Sequence, residues 1–205
     1  MKKTTLILLA LFAINVYSST DERRVALIIG NSNYSTMGVL SNPNNDAQDM
    51  TVALQELGFE VISGTDLGKA QMREKIRLFD ELINSGNKDN TIGLFYYAGH
   101  GLEVDGENYL VPIDANMEYQ EDARDEGIAL NRITSRMTYA KNRMNIVILD
   151  ACRNTPFPKK DRALSSGGWG AISNLASGMF IAYGTSPGRK AADSDGNSRN
   201  GLFTK

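Results

Sequence analysis

His100 and Cys152 are the only histidine and the only cysteine in a chain of 205 residues. A thiol is mostly protonated at neutral pH, and a nearby imidazole takes its proton or holds the thiolate as an ion pair. Once charged, the same imidazole protonates a departing amine. The pair therefore has the chemistry of nucleophilic acyl transfer, with Cys152 as nucleophile and His100 as acid and base. Gly99 and Gly101 flank the histidine, and their lack of side chains lets the backbone come close to a substrate. The N–H groups of Gly101 and Cys152 are candidate donors to the oxyanion that forms on the attacked carbonyl. Singly, a cysteine is more often a small buried hydrophobe and a histidine a satisfied core residue. Their joint placement in the fold gives the catalytic reading its weight.

The elements that must position them follow from hydrophobic pattern. Arg24 to Ile29 is a continuous apolar run closed by Gly30 and Asn31, which predicts a strand buried on both faces. Asn42-Pro43-Asn44-Asn45-Asp46 is a helix-entry signal, followed by Ala47, Met50, Ala53, Leu54 and Leu57 at helical spacing. Glu60 to Ser63 predicts a second strand, and Met72, Ile76, Phe79 and Ile83 a second amphipathic helix. A third strand, Thr91 to Tyr97, runs into Ala98-Gly99-His100-Gly101, and a small hairpin is expected in the Gly- and Asp-rich stretch beyond. A helix over Ile133 to Ala140 precedes a fourth strand, Asn145 to Leu149, which runs into Asp150-Ala151-Cys152-Arg153; Gly178 to Tyr183 is the fifth. This alternation predicts an α/β fold, a three-layer sandwich around a mostly parallel central sheet. In such sheets catalytic groups gather beyond the carboxyl ends of the strands. His100 and Cys152 are expected just past the ends of strands three and four, and if those strands are neighbours the two side chains share one rim.

Composition narrows the function. With 41% hydrophobic and 22% charged residues the chain fills a core. A formal charge of −2 argues against a nucleic-acid partner. One cysteine and one histidine are too few for a structural zinc site, which takes about four ligands. The N-terminus reads as an address: Lys2 and Lys3, an apolar run from Leu6 to Val16 broken only by Asn15, and Val16-Tyr17-Ser18 at the cleavage offsets. Residues 1–18 are thus expected to be a signal peptide, with export to the periplasm or the medium. The run is too short for stable membrane insertion, which takes about 18 apolar residues.

Five segments, in order, resemble the caspase-like cysteine peptidases of the bacterial metacaspase and paracaspase type. Two are the histidine and cysteine boxes, Tyr96-Tyr97-Ala98-Gly99-His100-Gly101 and Leu149-Asp150-Ala151-Cys152-Arg153-Asn154. The others are Arg24 to Asn31 with Tyr34 and the following Leu40 to Ala47, then Tyr109 to Asp114, then Tyr183 to Gly188. The resemblance covers residues 22–205 as one peptidase domain. It implies a caspase–hemoglobinase fold and a Cys152/His100 dyad with no obligatory third member, the Gly101 and Cys152 amides forming the oxyanion hole.

In this branch the resemblance implies a polypeptide substrate cut after Arg or Lys, with Asp46 and Asp150 matching the acidic pocket. A carboxylate pair selects a guanidinium or ammonium by charge-assisted hydrogen bonds. The competing readings are a helix-capping role for Asp46 and a turn-shaping role for Asp150. No cofactor or metal is expected: calcium activates many relatives, but Asp105, Glu107 and Asp114 do not assemble the six or more oxygens calcium takes. Lys159-Lys160-Asp161-Arg162 follows the nucleophile and is a candidate self-cleavage site, or a plain solvated loop. The chain stops at Lys205, where this branch usually continues into another helix. Two other functional classes compete. One is a catalytically idle caspase-like module that binds a protein partner. The other, weaker, is an unrelated hydrolase using a serine.

Overall fold

A computed structural model describes residues 22–152, Trp169 and 177–184, with Ala151 and Cys152 described through their backbone alone. The chain order is β1 (Arg23–Gly30), β2 (Asn33–Tyr34), β3 (Gly38–Val39), α1 (Pro43–Glu56), β4 (Glu60–Thr65), α2 (Lys69–Asn84), β5 (Thr91–Val104), β6 (Glu107–Leu110), α3 (Ala123–Glu126), β7 (Ile128–Ala129), α4 (Leu130–Ala140), β8 (Met144–Cys152) and β9 (Met179–Tyr183). The expected leader at residues 1–18 and the basic stretch Lys159 to Arg162 lie outside the described residues.

The sheet runs β4-β1-β5-β8-β9, every neighbouring pair parallel. The apolar residues of β5, which is central, divide by alternation between two cores. Phe95 and Tyr97 join Leu27, Ile29, Val147 and Leu149 beneath Met72, Ile76 and Phe79 of α2 and Ile133 and Met137 of α4. Leu94, Tyr96 and Ala98 join Ala26 and Ile28 beneath Ala47 and Leu54 of α1. Helices therefore cover both faces, and the three layers are those the strand–helix alternation predicts. Among the described residues no helix is long and apolar enough to cross a membrane.

One element departs from expectation. The third strand does not stop at Tyr97: β5 extends 14 residues to Val104. Its last pairing with β1 is Ala98 with Gly30. From Gly101 onward it pairs antiparallel with β6. The intervening turn is Asp105-Gly106, with φ of 50° and 81°, the positive pair that matches the twist of a tight hairpin. The expected hairpin is present, and the strand that carries His100 serves both the parallel sheet and the hairpin.

Where β1 ends, Asn31 is fully buried and joins three segments. Its Oδ1 accepts from the Leu67 N–H at 2.9 Å, and its Nδ2 donates to the Val111 carbonyl at 3.0 Å. Replacing Asn31 with Ala strands the Leu67 N–H, at about 1–3 kcal/mol, while the Val111 carbonyl keeps the Tyr97 hydroxyl at 3.1 Å. We expect a lower denaturation midpoint in urea with an unchanged m-value, and an unshifted midpoint would rule the link out as a stabilising one.

Candidate active site

The β5–β8 ladder ends with His100 opposite Cys152. Paired parallel strands lie about 4.8 Å apart, so the chain's one histidine and one cysteine occupy facing positions on adjacent central strands. Both were expected just beyond their strand ends, and the backbone instead carries each as the last paired residue. The strands continue because Gly99 and His100 still have partners on β8 after β1 has ended. Beyond this point the Val111 N–H donates to the His100 carbonyl at 3.1 Å. That bond brackets Gly101 and Leu110 as a pair that exchanges no hydrogen bond, so the Gly101 N–H is turned from β6 toward the side of β8.

His100 is 3% exposed. Its ring packs on that of Tyr34, with centroids 4.5 Å apart and planes at 49°. Its N–H donates to the Tyr34 hydroxyl at 2.7 Å, and its carbonyl accepts from the Tyr97 hydroxyl at 2.8 Å. Among the described residues neither ring nitrogen makes a hydrogen bond of good geometry. Burial lowers the imidazole pKa to about 4, with the Met37 backbone pulling weakly the other way. The ring is therefore neutral at pH 7, in the form that accepts a proton.

The flanking glycines have a packing role that the sequence did not suggest. Gly99 has φ of 151°, and a Cβ there would lie 2.5 Å from the Tyr34 hydroxyl and 2.8 Å from that of Tyr97. A Cβ on Gly101 would lie 2.6 Å from the indole of Trp169, which is buried and set edge-on to Tyr97 at 6.3 Å. These glycines leave the space into which three aromatic side chains fit.

Asp46 and Asp150 do come together. Asp46 lies in the first turn of α1, 3% exposed, and Asn42, not Asp46, takes the capping position. Asp150 sits on β8 opposite Ala98. Burial raises its pKa to about 6, repulsion from Asp46 adds to the rise, and the Tyr96 hydroxyl, donating at 3.3 Å, opposes it. The Tyr96 phenol is itself held protonated by burial and by both carboxylates. Two carboxyls that repel each other in this way form an acidic patch, which attracts a cation. Asp150 and Cys152 are alternate residues of one strand, so the acidic pair adjoins the dyad's positions.

The other acidic candidates are dispersed. Asp114 accepts from the Lys69 N–H at 2.9 Å at the start of α2, Asp105 pairs with Arg124, and Glu107 accepts from Tyr109. Among the described residues no three histidine, cysteine or acidic side chains gather closely enough to hold a metal. Sequence reasoning missed Tyr34, Tyr96 and Trp169 as parts of the site. Tyr34 and Tyr96 lay within the quoted segments, but nothing in their spacing assigned a role. Trp169 is the chain's single tryptophan, and a lone indole amid Gly and Ser is a signal of an anchored segment.

Residues 23–205 match the caspase domain family, Peptidase C14. Over 130 residues the chain is 35% identical to mucosa-associated lymphoid tissue lymphoma translocation protein 1 of Homo sapiens, covering 63% of this chain and 15% of that protein. Over 144 residues it is 27% identical to a probable protease of a Desulfuromonadales bacterium, covering 63% of this chain and 16% of that one. The chain thus spans only a small part of the curated relatives it matches. The crystal structure of GSU0716 from Geobacter sulfurreducens is similar with a TM-score of 0.49 at 18% identity, covering 64% of this chain and 51% of that one.

Removing one acid should relax the other. In Asp46→Asn the repulsion on Asp150 is gone, so its midpoint should fall from about 6 toward the ordinary carboxylate range. Carboxyl-carbon NMR titration reads this directly, and an unmoved midpoint would mean the two groups do not sense each other.

Proposed function

Because the chain belongs to the caspase domain family, we propose that it is an exported cysteine endopeptidase that cuts polypeptides after Arg or Lys. The observation that carries the reading is the facing register of His100 and Cys152 at the end of the β5–β8 ladder. In this mechanism His100, neutral at pH 7, takes the Cys152 proton as the sulfur attacks the scissile carbonyl. The Gly101 and Cys152 amides hold the oxyanion. The imidazolium then protonates the departing amine, leaving a thioester on Cys152. His100 next removes a proton from water, the hydroxide displaces the thiol, and the acid product leaves. No cofactor takes part in any step. Leader removal after Ser18 would release the domain into the periplasm or the medium.

Specificity rests on the acidic pair. The substrate's guanidinium or ammonium is received between Asp46 and Asp150, whose crowding raises the Asp150 midpoint to about 6. A raised carboxyl is charged above its midpoint and neutral below it. Affinity for a basic residue is therefore complete above pH 6 and declines as the pH falls through it.

Near-complete burial of His100 favours a second reading, a module that binds basic peptides without turning them over. One assay separates the two. Purified protein is incubated with fluorogenic peptides ending in Arg or in Asp, with calcium and with chelator, beside Cys152→Ala. Cleavage of the Arg peptide by wild type and not by Cys152→Ala is expected, equally with and without calcium. Binding without cleavage would leave the second reading, and cleavage after Asp would remove the role given to the acidic pair. Asp150→Asn should raise KM for the Arg peptide about 10- to 100-fold, the worth of a charge-assisted bond. In wild type, KM should climb below pH 6 while kcat changes little.

A further inference from the structure

We propose that Tyr34 is the positioning residue of the His100 imidazole, holding the ring face with its own ring and the His100 amide with its hydroxyl. The inference rests on the dyad reading and adds to it the group that orients the base. A catalytic histidine is ordinarily oriented through a hydrogen bond from its second nitrogen to a carboxylate or carbonyl. Here, among the described residues, neither nitrogen has such a bond of good geometry, although the Met37 backbone lies against the ring, and the ring face and the amide are held by Tyr34, at 4.5 Å between rings and 2.7 Å at the amide.

Tyr34 is itself held firmly. On one side Asp66 accepts from the N–H groups of Ser32 and Asn33, both at 2.9 Å, and from the amides of Asn33 and Asn44 at 2.6 and 2.7 Å. On the other, the Ser35 N–H donates to the Ile113 carbonyl at 2.9 Å and the Thr36 hydroxyl to that of Ala115 at 2.8 Å. The segment after β1 is therefore tied both to the β4 end and to the strand exit beyond β6. Tyr34 closes a ring of contacts, since its hydroxyl lies 3.4 Å from that of Tyr97, which bonds the His100 carbonyl. Gly99 leaves the room for both hydroxyls. The tyrosine ring also keeps water from the imidazole, and the burial to which it contributes is the main cause of the low His100 pKa. The titratable groups around the ring are Tyr34 of β2, Tyr97 of β5 and, across the register, Cys152 of β8. Asp46 of α1 and Asp150 of β8 are nearby acids that do not enter the shift.

The chain's single histidine makes the test unambiguous. Carbon-13 histidine labelling gives one ring signal, to be titrated in wild type, Tyr34→Leu and Tyr34→Phe, beside kcat and KM on the Arg peptide. Tyr34→Leu should move the His100 midpoint up by at least one unit toward 6.5 and lower kcat at least tenfold, with KM within twofold. Tyr34→Phe keeps the ring, so its midpoint should stay near that of wild type. It loses the hydroxyl, so the His100 amide should exchange with solvent at least tenfold faster. An unmoved midpoint in Tyr34→Leu together with unmoved amide exchange in Tyr34→Phe would overturn the proposal. If Tyr34→Leu does not fold, unchanged exchange in Tyr34→Phe overturns it alone. A wild type that cuts no peptide would end the peptidase reading yet leave the titration and exchange to decide whether Tyr34 positions the ring.

Discussion

The parallel pairing of β5 with β8 is the constraint on which the rest depends. Those strands come from distant parts of the sequence, and their ladder alone sets His100 against Cys152. It is also the most thoroughly supported pairing in the sheet. Apolar side chains leave β5 and β8 on both faces, so α1 on one side and α2 and α4 on the other must be seated for the two strands to be covered. A slip of one residue would exchange the two faces along the whole strand, burying Asp150 with Leu149's neighbours and separating the dyad. Core packing and site assembly are here the same event.

Around this ladder the polar groups are arranged at a cost. The imidazole is sealed beneath Tyr34 and so stays uncharged where an exposed one would begin to titrate. The two carboxylates repel each other, and Asp150 keeps its proton to unusually high pH. Natural structures tolerate such strain mainly where chemistry or recognition needs it. On the proposed reading, a base held neutral and an acid pair are complementary devices, since one would prepare the attack and the other would bring in the residue before the bond.

Much of this was legible in the sequence, for reasons that can be named. Periodicity located the five parallel strands and their covering helices, because burial on both faces leaves continuous apolar runs such as Val25 to Ile29. Two singletons pointed to the facing positions at the end of the β5–β8 ladder, because no second histidine or cysteine competed. The pairing of Asp46 with Asp150 followed only from resemblance, since nothing local tells an acid in the first turn of a helix that it will meet a strand end a hundred residues on. The exit of β5 was misjudged because Ala98-Gly99-His100-Gly101 has the composition of a loop, and only tertiary pairing keeps it extended. For the same reason nothing local showed that Gly99 and Gly101 also make room for aromatic side chains from elsewhere in the fold. The roles of Tyr34, Tyr96 and Trp169 are contacts across the fold and leave no periodic trace.

One further property follows from the carboxyl pair. If the pair receives a cation as proposed, a site that retains a proton near pH 6 would behave as a weak-acid ion exchanger of molecular size. Whatever positive group enters must evict hydrogen ion on arrival and surrender its place to hydrogen ion on departure. Occupancy would then be coupled to the buffering of the surroundings, and calorimetric heats of loading would change with the buffer's ionisation enthalpy even when the ligand and the protein stay the same.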